Sequence, residues 1–124
     1  MRLRVVGLLI LVLGASISGA PREATQTRRI EVEAERFAFS PSRIKLTLGE
    51  EVEIVLRSAD TSHGFMIEDS DIAVEIPKRG KGEVTVRYKA SQVGRFKYEC
   101  HRMCGAGHHF MRGEIIVVEP KEQP

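Results

Sequence analysis

Tryptophan and asparagine are both absent from the 124 residues, and cysteine is nearly so, with two. The aromatic side chains are five phenylalanines and two tyrosines, so any core must be mainly aliphatic. No window of useful length repeats its apolar residues at the 3.6-residue period of an amphipathic helix, which excludes a helical bundle. Internal repeats, low-complexity tracts and composition shifts that would mark a second domain are also missing. At this length one domain with one modest core is expected.

Long apolar runs are missing too. The longest, Val5 to Ile17, falls short of the roughly 20 residues of a spanning helix. It follows Arg2 and Arg4 and ends in small residues from Ser16 to Ala20, the pattern of a signal peptide. Residues 1–20 are therefore read as a cleaved signal peptide, with an uncleaved short membrane anchor as the alternative because Pro21 follows directly. Either reading exports the domain, to the periplasm or the outer face of the cytoplasmic membrane. Of 19 basic residues, Arg2 and Arg4 fall in this segment and no acidic residue does, so the remainder carries 17 of each sign. No basic excess is left to suggest a nucleic-acid partner.

What is present is period-two patterning. Residues 21–29 are polar and read as a linker, residues 30–119 as the domain, and 120–124 as a tail. Ile30, Val32 and Ala34 alternate with Glu31, Glu33 and Glu35, a solvated strand face. Phe37 and Phe39 continue on the opposite parity, which predicts a bulge near Glu35-Arg36. Ile44, Leu46 and Leu48, then Gly49-Glu50, then Val52, Ile54 and Leu56 read as a hairpin. Further strands are expected around Val74-Ile76, Val84-Tyr88, Phe96-Tyr98 and Ile115-Val118. The sum is an all-β protein, a Greek-key β-sandwich of seven or eight strands.

Cys100, Cys104, His108 and Met111 fall within twelve residues, between two predicted strands. A loop held by a rigid sandwich can fix such side chains at set separations, and Gly105 and Gly107 let it turn tightly. Two cysteines in an exported chain ordinarily form a disulfide; His108 and Met111 at this spacing would then be coincidental. Thiolate, imidazole and thioether together favour copper, whereas zinc has little use for Met111. His63, in the separate loop SADTSHG, supplies a second imidazole. His63, Cys104, His108 and Met111 already meet the recipe of a mononuclear blue-copper site, leaving Cys100 over. Two thiolates at this spacing fit a site in which both bridge two copper ions. His101 and His109 read as neighbours rather than ligands, Met66 and Met103 as packing, and Phe96, Tyr98 and Phe110 as side chains that keep water from the site. Glu68, Asp69 and Asp71 form a candidate acidic docking edge near it.

The run CHRMCGAGHHFM, with His63-Gly64-Phe65 before it and RGEIIVV after it, resembles the CuA domain of subunit II of haem-copper cytochrome c oxidases. It is similar also to the carboxy-terminal domain of nitrous oxide reductase. The resemblance covers about residues 30–119 and implies a cupredoxin-like fold holding two copper ions in a dinuclear CuA centre. It implies that Cys100 and Cys104 bridge both ions, that His63 and Met111 complete one, and that His108 and the backbone carbonyl of Arg102 complete the other. It implies an electron carrier that performs no bond chemistry itself, takes electrons from a cytochrome c-like donor and serves a haem-copper oxidase subunit I. Arg102 stands where the family carries a glutamate that helps bind magnesium, so no magnesium is expected. The family's usual tryptophan entry point has no counterpart here, and two spanning helices usually precede the domain. Two other readings stay open: an exported Cu(I)-handling protein, which His101, His109 and Met103 would suit, and a mononuclear blue-copper carrier.

Overall fold

A computed structural model describes Gly19 and residues 26–122. The leader reading therefore lies outside the described residues. Among the described residues nine strands follow one another: β1 (Arg28–Glu35), β2 (Ala38–Ser40), β3 (Arg43–Thr47), β4 (Glu51–Ser58), β5 (His63–Ile67), β6 (Ala73–Ile76), β7 (Val84–Lys89), β8 (Gly94–Glu99) and β9 (Arg112–Val118). A single 3-10 turn, His108–Phe110, interrupts the loop between β8 and β9. The strands form two sheets, in the orders β2-β1-β4-β7 and β3-β9-β8-β5-β6. The count exceeds the expected seven or eight because His63, expected in a loop, instead opens the strand β5, and Ala38–Ser40 forms a short strand of its own rather than continuing β1.

Alternation puts Val32 and Ala34 of β1, and Val52, Ile54 and Leu56 of β4, on the inner face of the first sheet. Glu31, Glu33 and Glu35 stay in solvent, as the pattern requires. Ile44 and Leu46 of β3, with Ile115 and Val117 of β9, face them from the second sheet. Both faces are stripped of water in one contiguous core, with burial of a large aliphatic side chain stabilising by about 1.5–3 kcal/mol.

Two local expectations are corrected. Gly49-Glu50 does not close a hairpin: β3 pairs in parallel with β9, while β4 lies in the other sheet, parallel to β1 and antiparallel to β7. The turn carries the chain from one sheet to the other, and Gly49 supplies the positive φ of 87° it needs. The parity change at Glu35-Arg36 is a turn rather than a bulge. Ala34 pairs with Phe39 and Glu35 with Ala38, so Arg36-Phe37 is a two-residue connection between antiparallel β1 and β2.

An aromatic trio joins the sheets close to the β8–β9 loop. Phe39 of β2 meets the edges of Phe65 of β5 and Tyr98 of β8, with ring centroids 5.6 and 5.4 Å apart. Such pairs add about 0.5–1.5 kcal/mol beyond the area they bury. The Tyr98 hydroxyl donates to the Pro41 carbonyl at 2.7 Å. Its ring covers Gly113 so closely that a Cβ there would approach it to 2.3 Å.

Candidate metal centre

Side chains two apart on a strand share a face. Phe65 and Tyr98 point into the core, and the alternation carries the same inward direction to His63 at the start of β5 and to Cys100 just past the end of β8. Because β5 and β8 run antiparallel, with Ile67 opposite Tyr98 and Met66 opposite Glu99, those two ends meet. Gly64 completes the approach. A Cβ on it would lie 2.6 Å from the His101 ring and 2.8 Å from the Arg102 backbone nitrogen, so only glycine lets the loop lie against β5. The Gly64 N–H donates to Cys100 Sγ at 3.3 Å.

The sulfur and nitrogen atoms then converge. Cys100 Sγ lies 3.8 Å from Cys104 Sγ, and Cys104 Sγ lies 3.8 Å from both His108 Nδ1 and Met111 Sδ. The ligating atoms of His63, Cys100 and Cys104 all fall within 4.8 Å of one another. The Arg102 carbonyl accepts from Cys100 Sγ at 3.0 Å. Both cysteines are free and buried, as is Met111, whereas His108 is half-buried. All six residues singled out from the sequence, counting Arg102 through its backbone oxygen, thus meet at one end of the sandwich.

Burial raises the Cys104 thiol pKa, helped by the Cys100 thiol beside it, to about 11. The Cys104 thiol therefore carries its proton in the metal-free chain at neutral pH, and an arriving cation must displace it.

His63 is 0% exposed, and its Nδ1 has no hydrogen-bond partner. An unpaired buried polar atom costs about 1–3 kcal/mol unless something binds it. Its other nitrogen, Nε2, donates to Asp60 Oδ1 at 2.6 Å, which leaves Nδ1 with a bare lone pair. Burial works to raise the Asp60 pKa, but the Arg36 backbone N–H and the His63 ring outweigh it and hold the carboxyl below its ordinary range. An ionised Asp60 can only accept, so the tautomer is set. Donor atoms around one tetrahedral ion at roughly 2.0–2.3 Å stand about 3.3–3.8 Å apart. Two thiols, bare imidazole nitrogens and a thioether at such spacings fit a soft cation such as copper.

Three contributors lie outside the motif. Asp60 is one, legible only as the first residue of an Asp-x-x-His spacing. Arg36 is the second: its backbone N–H donates to Asp60 Oδ2 at 2.9 Å and its Nε to the Cys104 carbonyl at 2.7 Å. The third is Phe37, whose ring occupies the space that a Cβ on Gly105 or Gly107 would need, at 2.9 and 2.3 Å. Of the two, only Gly105 has a positive φ, 147°; Gly107 is needed for room rather than for conformation.

Several expectations about the surroundings are corrected. Phe110 is 73% exposed and Met103 67%, so neither packs around the site. The 3-10 turn lifts Phe110 outward while Met111 returns inward. Glu68, Asp69 and Asp71 lie beyond the opposite end of β5 from His63, roughly 15 Å along the strand, and form no edge at the candidate centre. The Arg102 side chain turns away to an ion pair with Glu75.

A family model described as a cupredoxin-like domain matches residues 7–117. Cytochrome c oxidase subunit 2 of Thermus thermophilus is 38% identical over 84 residues, 67% of this chain. The chain spans 60% of the length of that relative. Among solved structures, a chain from a heme-copper terminal oxidase dimer is 31% identical with a TM-score of 0.66, covering 73% of this chain and 65% of that one. The metal binding domain of the Cu(I) exporting P-type ATPase CopA of Streptococcus pneumoniae D39, solved with Cu(I), is 26% identical with a TM-score of 0.60, covering 73% and 85%. Relatives of this kind, with the clustered thiols and imidazole, imply copper. The fold of two facing sheets is thus shared with these proteins, and the chain belongs to the cupredoxin-like family, with cytochrome c oxidase subunit 2 among its relatives.

Proposed function

We propose that the β8–β9 loop and His63 hold a dinuclear copper centre of the CuA type, and that the domain relays single electrons. Cys100 carries this reading. A one-copper site needs one thiolate, yet two buried, unbridged thiols stand 3.8 Å apart beside His63. Cys100 and Cys104 would bridge the two ions, with His63 and Met111 completing one and His108 and the Arg102 carbonyl the other. Copper bound there supplies a one-electron couple spread over two metals.

The chain's own part is to keep the donors still and dry. Asp60 orients His63, Arg36 ties Asp60 to the ligand loop, and Phe65 and Tyr98 seal the inner side. Donors that need not move when the charge changes favour fast electron transfer. His108 is half-buried beside exposed Phe110, an apolar outlet suited to a cytochrome c-like donor. The domain performs no bond chemistry itself. It serves as the electron-entry part of a haem-copper oxidase, beside subunit I, or as a separate exported carrier feeding one. Its place is the periplasm or the outer face of the membrane, with the leader as signal or single anchor.

A second reading, an exported Cu(I)-handling protein, is favoured by exposed His101, Met103 and His109 around the loop and by the likeness to the CopA metal binding domain. Counting copper in the loaded wild type and in Cys100→Ser separates the readings. The electron-relay reading expects two coppers per chain in the wild type, loss of the pair in the variant, and oxidation of reduced cytochrome c by the loaded wild type. One copper per chain, unchanged in Cys100→Ser, would leave a mononuclear blue-copper carrier. Copper held only as Cu(I) and surrendered quickly to a chelator, without cytochrome c oxidation, would favour handling.

A further inference from the structure

The outer face of the second sheet is charged differently from that of the first. On the first sheet Arg29, Arg57 and Arg87 each meet a glutamate within 3.7 Å. On the second, β3, β8 and β9 bound an open cleft of about 460 Å³, lined by Arg43, Arg95, Lys97 and Arg112 against Glu68 and Glu114. The strand register sets these charges in rows. Glu114 of β9 stands opposite Arg43 on one side and Lys97 on the other, and Arg112 stands opposite Glu99.

The two carboxylates are already engaged. Glu114 is shared by Arg43 at 3.1 Å and Arg95 at 3.3 Å. Glu68 accepts from the Lys97 backbone N–H at 3.3 Å rather than meeting its ammonium. Among the described residues, no carboxylate lies within ion-pair distance of the Lys97 ammonium or the Arg112 guanidinium. Four cations against two carboxylates leave an excess positive charge in a concave site, where the field is focused.

We propose that this cleft binds a multivalent oxyanion of the phosphate class, held by Lys97 and Arg112 with Arg95 beside them. Guanidinium offers two parallel N–H donors matched to two oxygens, and ammonium acts as a compact point charge. Such an anion would supply the countercharge that the glutamates do not. The site is separate from the candidate copper centre, because these side chains point outward from the sheet whereas the sulfur donors are buried. Its binding test does not depend on the copper reading.

The oxyanion could be a free phosphate or the headgroup of an anionic lipid, and the test has an arm for each. Calorimetry with inorganic phosphate and co-sedimentation with phosphatidylglycerol-containing vesicles compare the full-length chain with its Lys97→Gln/Arg112→Gln variant. Both proteins keep the same leader, so any difference between them reads the cleft. Both substitutions lie at exposed positions, and matching melting curves establish that the variant folds. Saturable phosphate binding that weakens about tenfold or more in the variant supports a soluble anion. Vesicle binding weakened to a similar degree supports a headgroup. Absence of a saturable response in both arms, or equal responses from the two proteins, overturns the proposal.

Discussion

His63 is held by its neighbour Asp60. Asp60 fixes which ring nitrogen is bare and which way it points. Asp60→Ala should therefore lower copper affinity about 10–100-fold while leaving the sandwich folded, since removing such an outer partner loosens the ligand without deleting it. Competition against a chelator, alongside a melting curve, measures both. Unchanged affinity would show that His63 needs no orienting partner. Met111 has a different part in the proposed centre: a buried thioether 3.8 Å from Cys104 Sγ would be a weak ligand that tunes more than it holds. Met111→Leu should keep the full copper count and shift the midpoint potential, as voltammetry would report; loss of copper would assign Met111 a structural role.

At the scale of elements, the β8–β9 loop rests on a turn from the far side of the chain. Gly107→Ala would drive a Cβ to within 2.3 Å of the Phe37 ring. Overpacking of this kind costs about 1–3 kcal/mol, so the melting temperature should fall and copper loading should slow. Adding Phe37→Leu should recover part of both; no recovery would place the strain elsewhere. The motif was legible in the sequence because its members are close neighbours whose spacing survives folding. Arg36 and Phe37 were not, because they reach the loop across nearly seventy residues and only the sheet topology brings them there. The same limit explains the false hairpin at Gly49-Glu50. Alternation reports which side chains are buried, but not which sheet a strand joins, and the parallel β1–β4 and β3–β9 pairings leave no local mark. The expectations about export and docking rest on segments and surfaces that a buried-face pattern does not describe.

For the whole molecule, two free, buried thiols side by side make the metal-free chain sensitive to oxidising conditions. Their sulfurs are 3.8 Å apart and need approach only to about 2.0 Å to bond. Oxidation of the metal-free chain should consume both thiols within one molecule and block copper loading until a dithiol reductant is added. Thiol titration with copper counting checks this; thiols that stay titratable after prolonged oxidation would show that the loop resists closure. The same pair of sulfurs carries the central claim, that Cys100 makes this a two-copper rather than a one-copper cupredoxin. The electron paramagnetic resonance spectrum of the copper-loaded chain, taken after mild reduction, tests it most directly. Hyperfine structure from two equivalent copper nuclei sharing one unpaired electron is the predicted result. A pattern from a single copper nucleus would contradict it.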